Sequence, residues 1–250
     1  MRISKIVRRI LLAICMVVLL AGIGFVIWAE MPLGPLPEAI AALQSNERVS
    51  VDTSRWLTFM PRDGSPTTGF IFYPGGRVDP RSYAPEAQAI AAEGFLVVIV
   101  PMPLNLAVIA PNRALEVQHA FPAIQHWAVG GHSLGGAMAA SFAHDHPDAV
   151  EGLVLWAAYP PNSDDLSGMP VDVLLLDGTR DGLVNPDTLA AAHTLLPANT
   201  RYLMIEGGNH AQFGSYGAQP GDNMATISRA EQQRQTVAAT VQLLQQIAQR

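Results

Sequence analysis

Between Gly69 and Gln249 the chain alternates short apolar runs with helical stretches, and this alternation limits the architectures open to it more than any other feature. Phe95–Val100 is a run of apolar residues bounded by Gly94 and Pro101. It is too short for a helix of its own and suits a parallel strand covered on both faces. Gly69–Tyr73, Trp127–Gly131, Leu153–Ala157, Val171–Leu176 and Arg201–Ile205 repeat the strand signal. Between and after them, helices are expected over Ser82–Glu93 with a stop at Gly94, Leu134–His144, Pro186–Leu195 and Thr226–Gln249. In the last of these, Val237, Val241, Leu244 and Ala248 fall on one face and predict its buried side. Strands alternating with helices define an α/β class with a doubly wound, mostly parallel sheet, whose binding sites lie at the C-terminal ends of the strands.

The N-terminus is built differently. Ile10–Trp28 is free of charge and rich in Leu, Ile and Val, and at about 1.5 Å per residue it approaches the roughly 30 Å of a bilayer's hydrocarbon core. Arg2, Lys5, Arg8 and Arg9 precede it, which predicts a cytoplasmic N-terminus and an extracytoplasmic body. A cleaved secretory signal is the alternative, with Ala29 as the cleavage residue and a secreted product. The apolar stretch exceeds the usual ~7–15 residues of a signal, which favours an uncleaved anchor. Cys15, the sole cysteine, reads as a small apolar residue of the span and leaves no disulfide framework. Three segments follow from this: 1–29, a basic stub and transmembrane anchor; 30–50, a Pro-rich juxtamembrane spacer in which Met31–Pro37 is stiff and extended; and 51–250, the α/β domain.

Charge supports that division. The 250 residues carry 15 basic and 21 acidic side chains, a net of −6. Removing the four N-terminal cations leaves 11 basic against 21 acidic residues in the body, a net of −10. Such a body offers no cationic surface to a phosphate backbone, so nucleic acid is not an expected partner.

The chemistry centres on Gly131-His132-Ser133-Leu134-Gly135-Gly136, a G-x-S-x-G pattern between an expected strand and an expected helix. So tight a turn needs small residues on both sides of the serine. It lifts the Ser133 hydroxyl above the sheet edge and aims the Leu134 N–H, at a helix start, toward a developing oxyanion. His132 is read as structural packing, its side chain turned away from the nucleophile. A serine needs a base and an orienting carboxylate, which for such an elbow follow in the order acid, then histidine. Asp181, in the loop after Leu174-Leu175-Leu176, is the expected acid, with Asp177 at the strand end as its competitor. His210, after Gly207-Gly208-Asn209, is the expected base, since His193 falls within a helix. Tyr73-Pro74-Gly75-Gly76-Arg77 suits the second oxyanion donor, through the N–H of Gly76 or of Arg77. His144-Asp145-His146 ends an exposed helix before Pro147 and is not read as a metal site. No metal and no cofactor are expected.

These segments resemble those of the α/β-hydrolases, and more narrowly of the small lidless members related to dienelactone hydrolases, the α/β-hydrolase fold-5 group. Tyr73-Pro74-Gly75-Gly76, Gly131–Gly136, His146-Pro147-Asp148 before Gly152–Leu155, Gly178–Gly182 and Gly207–His210 carry the resemblance, in the family's order across most of residues 69–250. It implies an eight-stranded sheet pattern, whole or trimmed, and a Ser-His-Asp hydrolase. Pro74 stands where many lipases have a histidine before the oxyanion glycine. Ser133 stands where dienelactone hydrolases have a cysteine, which moves the expected substrate from dienelactones to ordinary esters, thioesters or amides.

No lid fits between the strands at Leu153–Ala157 and Val171–Leu176. The Pro101–Ile109 segment, with Leu104 and Leu106, is therefore expected to line the acyl pocket, and Phe213 and Tyr216 to border the site. The resulting expectation is a membrane-anchored extracytoplasmic serine hydrolase of carboxylesterase type (EC 3.1.1), acting on a small or medium acyl ester. Amide or thioester hydrolysis and acyl transfer use the same machinery. A silent fold serving as a binding module is the alternative of another class.

Overall fold

The computed structural model describes residues 5–250, so Arg2 of the basic cluster lies outside the described residues. In chain order the elements are α1 (Lys5–Ala29), α2 (Pro37–Ala41), β1 (Val49–Asp52), β2 (Leu57–Pro61), β3 (Thr68–Tyr73), α3 (Ala84–Ala91), β4 (Leu96–Ile99), α4 (Ala114–Ala120), β5 (His126–His132), α5 (Leu134–Asp145), β6 (Gly152–Trp156), β7 (Asp172–Gly178), α6 (Pro186–Ala192), β8 (Arg201–Ile205) and α7 (Arg229–Ile247). The eight strands form one sheet in the order β1-β2-β4-β3-β5-β6-β7-β8. From β4 to β8 every neighbouring pair is parallel, while β2 runs antiparallel to both β1 and β4.

Strand composition explains the layering. Every residue of β3, β4, β6 and β7 is buried, as parallel strands covered by helices on both faces require. Alternate side chains feed two cores. Phe70, Phe72, Val97, Ile99, Val154 and Trp156 point to the side of α3 and α7. Ile71, Tyr73, Leu96, Val98, Leu153 and Leu155 point to the other face, where α5 packs. Phe72 and Trp156, on β3 and β6, meet at a ring separation of 4.6 Å.

Two expectations change. Residues 31–37 are not a free spacer: Leu33 forms a parallel bridge with Val78, its N–H donates to Arg77 O (2.7 Å), and the Leu36 N–H donates to Ser215 O (2.8 Å). A proline-rich stretch favours extended backbone, and extended backbone pairs as readily with a protein edge as with water. Sheet pairing also begins at Val49, inside the segment read as spacer. In α7 the buried face includes Gln232, Thr236, Thr240, Leu243 and Ile247 beside Val241 and Leu244, while Ala248 is exposed. The threonines tolerate burial because their hydroxyls donate to Gln232 O and Thr236 O, and Thr240 Oγ1 also accepts from Trp156 Nε1.

One buried carboxyl group is left without hydrogen-bond partners. Both carboxylate oxygens of Glu86, on α3 beneath α7, are buried and unbonded among the described residues. Burial pushes the group up to about 8, with its own N–H and the charge of Arg229 pulling the other way. An acid whose folded value exceeds its unfolded one stabilises the fold less as pH rises from the unfolded value toward the folded one. Glu86→Gln is therefore expected to leave stability at pH 4 nearly unchanged and to raise it by about 2–4 kcal/mol at pH 8. Calorimetric melting of both proteins from pH 4 to 8 checks this; parallel curves would show that Glu86 is not titrating with folding.

Candidate active site

The loops leaving the C-terminal ends of β3, β5, β7 and β8 carry the expected site residues. Ser133 sits between β5 and α5 with φ 52° and ψ −124°, a left-handed conformation that a side chain rarely adopts. Its N–H donates to Trp156 O (2.9 Å) and its carbonyl accepts the first bond of α5 from the Ala137 N–H (3.0 Å), which pins the elbow on both sides. Gly135 makes this approach possible, because a Cβ there would collide with the carbonyl oxygens of Tyr73 and Pro74.

Asp181 and His210 meet as a buried pair, with Nδ1 and Oδ2 2.7 Å apart. The other carboxylate oxygen, Oδ1, accepts from the N–H groups of Leu183 (2.7 Å) and Val184 (2.8 Å). Burial alone would raise the Asp181 carboxyl, but the His210 bond and charge and these two amides outweigh it and hold it below the ordinary carboxylate value. An ionised carboxylate can only accept, so the proton in the pair belongs to His210 Nδ1, and Nε2 is the ring nitrogen left free of Asp181. That Nε2 is buried and has no hydrogen-bond partner among the described residues.

Asp177, the competing acid, occupies the end of β7, where its Oδ1 accepts from the Gly178 N–H (2.8 Å). Burial first, and then the charge of Asp181, push it up to about 7. It makes no hydrogen bond to His210, which pairs with Asp181 instead.

Gly76 lies against Leu134, whose Cδ2 is 3.1 Å from the position a Gly76 Cβ would take. The two expected oxyanion donors are thus neighbours in space. Arg77 is corrected: its N–H donates to Asn105 O at 2.8 Å, so that donor is already engaged. Leu106 Cδ2 approaches the same Gly76 position at 3.8 Å, and Leu104 and Leu106 are half-buried, as a pocket wall would be. Val108 and Ile109, in the same segment, are exposed and face outward. Phe213 and Tyr216 are corrected as well. Both are buried behind the histidines, Phe213 stacked on His132 (5.9 Å) and Tyr216 tilted against Tyr83 (6.4 Å), with no face left for a substrate.

His132 packs as expected, but it packs on the site. Its ring lies 4.5 Å from that of His210, and its Nδ1 is 2.8 Å from Tyr83 Oη. The Gly75 N–H donates to that same oxygen (3.0 Å), so the phenol proton points to His132. Burial, then the charge of His210, hold His132 well below the ordinary histidine value, which keeps the ring neutral.

Three supporting residues carried no signal in periodicity or motif. Tyr83 joins the loop after β3 to the elbow. Gln232 grips Asn209 through both its N–H (3.0 Å) and its carbonyl (2.7 Å). Asp222 ties the acid loop to the histidine loop by accepting from Gly182 N–H (3.0 Å) and Ala211 N–H (2.8 Å). In the His144-Asp145-His146 segment, His144 Nδ1 pairs with Asp145 Oδ1 (3.0 Å) and His146 Nε2 with Asn112 Oδ1 (3.3 Å).

The sheet order, the strained serine between a parallel strand and a helix, and the Asp–His pair on the following loops define a protein with an α/β-hydrolase architecture. The profile of the alpha/beta hydrolase family matches residues 69–234, about two thirds of the chain, and the chain belongs to that family. No curated protein matches it by sequence. Among solved structures it is similar to a thermophilic esterase from the planctomycete Thermogutta terrifontis with butyrate bound, at 15% identity and a TM-score of 0.58, covering 80% of this chain and 95% of that one. The same organism's esterase 2 phosphoramylated by tabun gives 17% identity and a TM-score of 0.58, covering 82% and 96%. A predicted CIB-like hydrolase from Thermoplasma acidophilum gives 16% identity and a TM-score of 0.56, covering 78% and 98%. At such identities the likeness is one of fold.

Proposed function

We propose that this α/β hydrolase is a serine carboxylesterase that cleaves a small or medium acyl ester, anchored by α1 with its N-terminus in the cytoplasm and its catalytic domain outside. The observation that carries the reading is the buried Asp181–His210 pair with an unbonded Nε2, on the same sheet edge as the strained Ser133. Nε2 accepts the proton of Ser133 as Oγ attacks the ester carbonyl. The tetrahedral oxyanion is received by the N–H of Leu134, unpaired at the start of α5, and by that of Gly76 beside it. His210 then passes its proton to the leaving alcohol, and water repeats the cycle on the acyl-enzyme. Asp181 holds the tautomer and stabilises the imidazolium. A butyrate ligand and a tabun adduct in proteins of like fold agree with short acyl esters and an activated serine.

The anchor reading draws on α1 itself, a 25-residue helix whose large apolar side chains are exposed from Ile6 to Trp28 and whose first turns carry Lys5, Arg8 and Arg9. The test is covalent. A fluorophosphonate probe is expected to label the wild-type chain within minutes, with the adduct on the peptide containing Ser133 and with p-nitrophenyl butyrate protecting against it. Absence of labelling, or an adduct elsewhere, sinks the serine mechanism.

A further inference from the structure

The end of the apolar helix is built into the catalytic edge of the domain. Arg77 Nε donates to Trp28 O (2.9 Å) and its Nη2 to Met31 O (2.9 Å), while its guanidinium lies over the Trp28 ring at 4.1 Å. Asn105 Nδ2 donates to Ala29 O (3.0 Å), and Asn105 O accepts the Arg77 N–H. A cation and an amide thus satisfy carbonyls at the helix C-terminus, where unpaired acceptors and the helix dipole favour them. Ala29 is buried in this junction, and the Leu33–Val78 bridge four residues on leaves no slack for the domain to swing away.

On the anchor reading, this junction relates the site to a bilayer. If Ile10–Trp28 spans the hydrocarbon, the boundary with water falls near Trp28 and Glu30, the first charge after the span. Arg77 and Asn105 touch that boundary directly. Gly76 is one residue away, about 3.8 Å along the backbone.

Exposed apolar side chains gather on the same edge. Outside α1, eight large apolar residues are exposed among the described residues. Five of them belong to the anchor junction or to loops at the C-terminal ends of strands: Met31, Val108 (54% exposed), Ile109 (48%), Leu183 (39%) and Met224 (84%). Scattered singly, such residues need no explanation. Gathered around a site tethered within a residue or two of a membrane boundary, they form a rim that enters it.

We propose that the catalytic edge lies against the lipid surface, with Val108, Ile109, Leu183 and Met224 in the headgroup–acyl boundary, and that the substrate is an acyl ester dissolved in that leaflet. This rests on the serine esterase reading and names its substrate class. Partition of the ester into the leaflet concentrates it beside Leu104 and Leu106, so a shallow site without a lid suffices. The net negative charge of the body disfavours anionic headgroups, so the occupant is a neutral or zwitterionic leaflet.

The test uses the full chain in phosphatidylcholine vesicles. Bimane is attached through Ile109→Cys or Met224→Cys in a Cys15→Ser background. Ser65→Cys, an exposed position before β3 at the opposite end of the sheet, is the reference. Lipids with a doxyl group near the headgroup are expected to remove about half of the emission at 109 and 224 and almost none at 65. Equal quenching at all three sites, or none, overturns the placement. In parallel, the Met224→Ser variant is expected to cleave a vesicle-borne long-chain ester about five-fold more slowly, with turnover of soluble p-nitrophenyl butyrate within about two-fold of wild type. Equal loss on both esters, or on neither, overturns the delivery role. Quenching of the labels at 109 and 224 with a wild type that cleaves neither ester overturns the esterase reading and the substrate class with it. Cleavage of the soluble ester by wild type without quenching of either label overturns the placement alone.

Discussion

Ser133→Ala is expected to lower kcat/KM on a short acyl ester by a factor on the order of 10⁴–10⁶, with the far-ultraviolet spectrum unchanged. That loss corresponds to about 5–8 kcal/mol of transition-state stabilisation. A residue of rate above water remains, because the Leu134 and Gly76 amides do not depend on the serine side chain. The companion variant is Ser133→Gly. At φ 52° and ψ −124° the wild-type residue bears backbone strain that glycine does not. Glycine also gains freedom in the unfolded chain, so the net gain is about 1 kcal/mol, a rise of roughly 2–4 °C in Tm. An inactive Ser133→Gly that melts above wild type would show the elbow storing strain for chemistry. An Ser133→Gly that melts with or below wild type would remove that account, and an Ser133→Ala that keeps its turnover would remove the nucleophile.

The parts of this molecule legible in its sequence are those whose physics is local. Leu96–Ile99 and Leu153–Trp156 read as parallel strands because burial on both faces requires uninterrupted apolar runs. The elbow reads from its spacing, since backbone collision leaves glycine alone at position 135. β1 and β2 did not read, being edge and near-edge strands of four and five residues with polar residues among the apolar ones. α4, of seven residues, is too short for helical periodicity to emerge. The supporting residues of the site failed to show for a different reason. Tyr83 lies 49 residues from His132, and Gln232 lies 23 from Asn209. Nothing in the local pattern of either segment announces a partner so far along the chain. The extended stretch after the anchor was misread because prolines specify backbone shape and say nothing about what that backbone will pair with. Phe213 and Tyr216 follow His210 closely along the chain, but nearness in sequence does not decide which side of the ring a residue packs on.

The choice between the two aspartates is where sequence alone left two candidates and geometry separates them. Asp181→Asn is expected to cut kcat by about 10⁴ with little change in KM. An amide at this position can present its NH₂ to His210 Nδ1, which then must accept. The ring proton moves to Nε2, and Nε2 can no longer take the proton of Ser133. Asp177→Asn is expected to keep kcat within about ten-fold, because that side chain bonds the Gly178 N–H and not the histidine. Its effect falls on stability. Asp177 is pushed up to about 7 by burial and by the charge of Asp181, so its unfavourable ionisation weakens the fold progressively as pH rises from about 4 to about 7. The asparagine variant lacks that penalty and should melt above wild type at pH 8 and with it at pH 4. Steady-state kinetics of both variants at pH 8 and their melting curves at the two pH values make the comparison. Activity surviving in Asp181→Asn and collapsing in Asp177→Asn would exchange the roles. Collapse in both would mean that the two carboxyl groups act on His210 as one unit, through the charge they share at the end of β7.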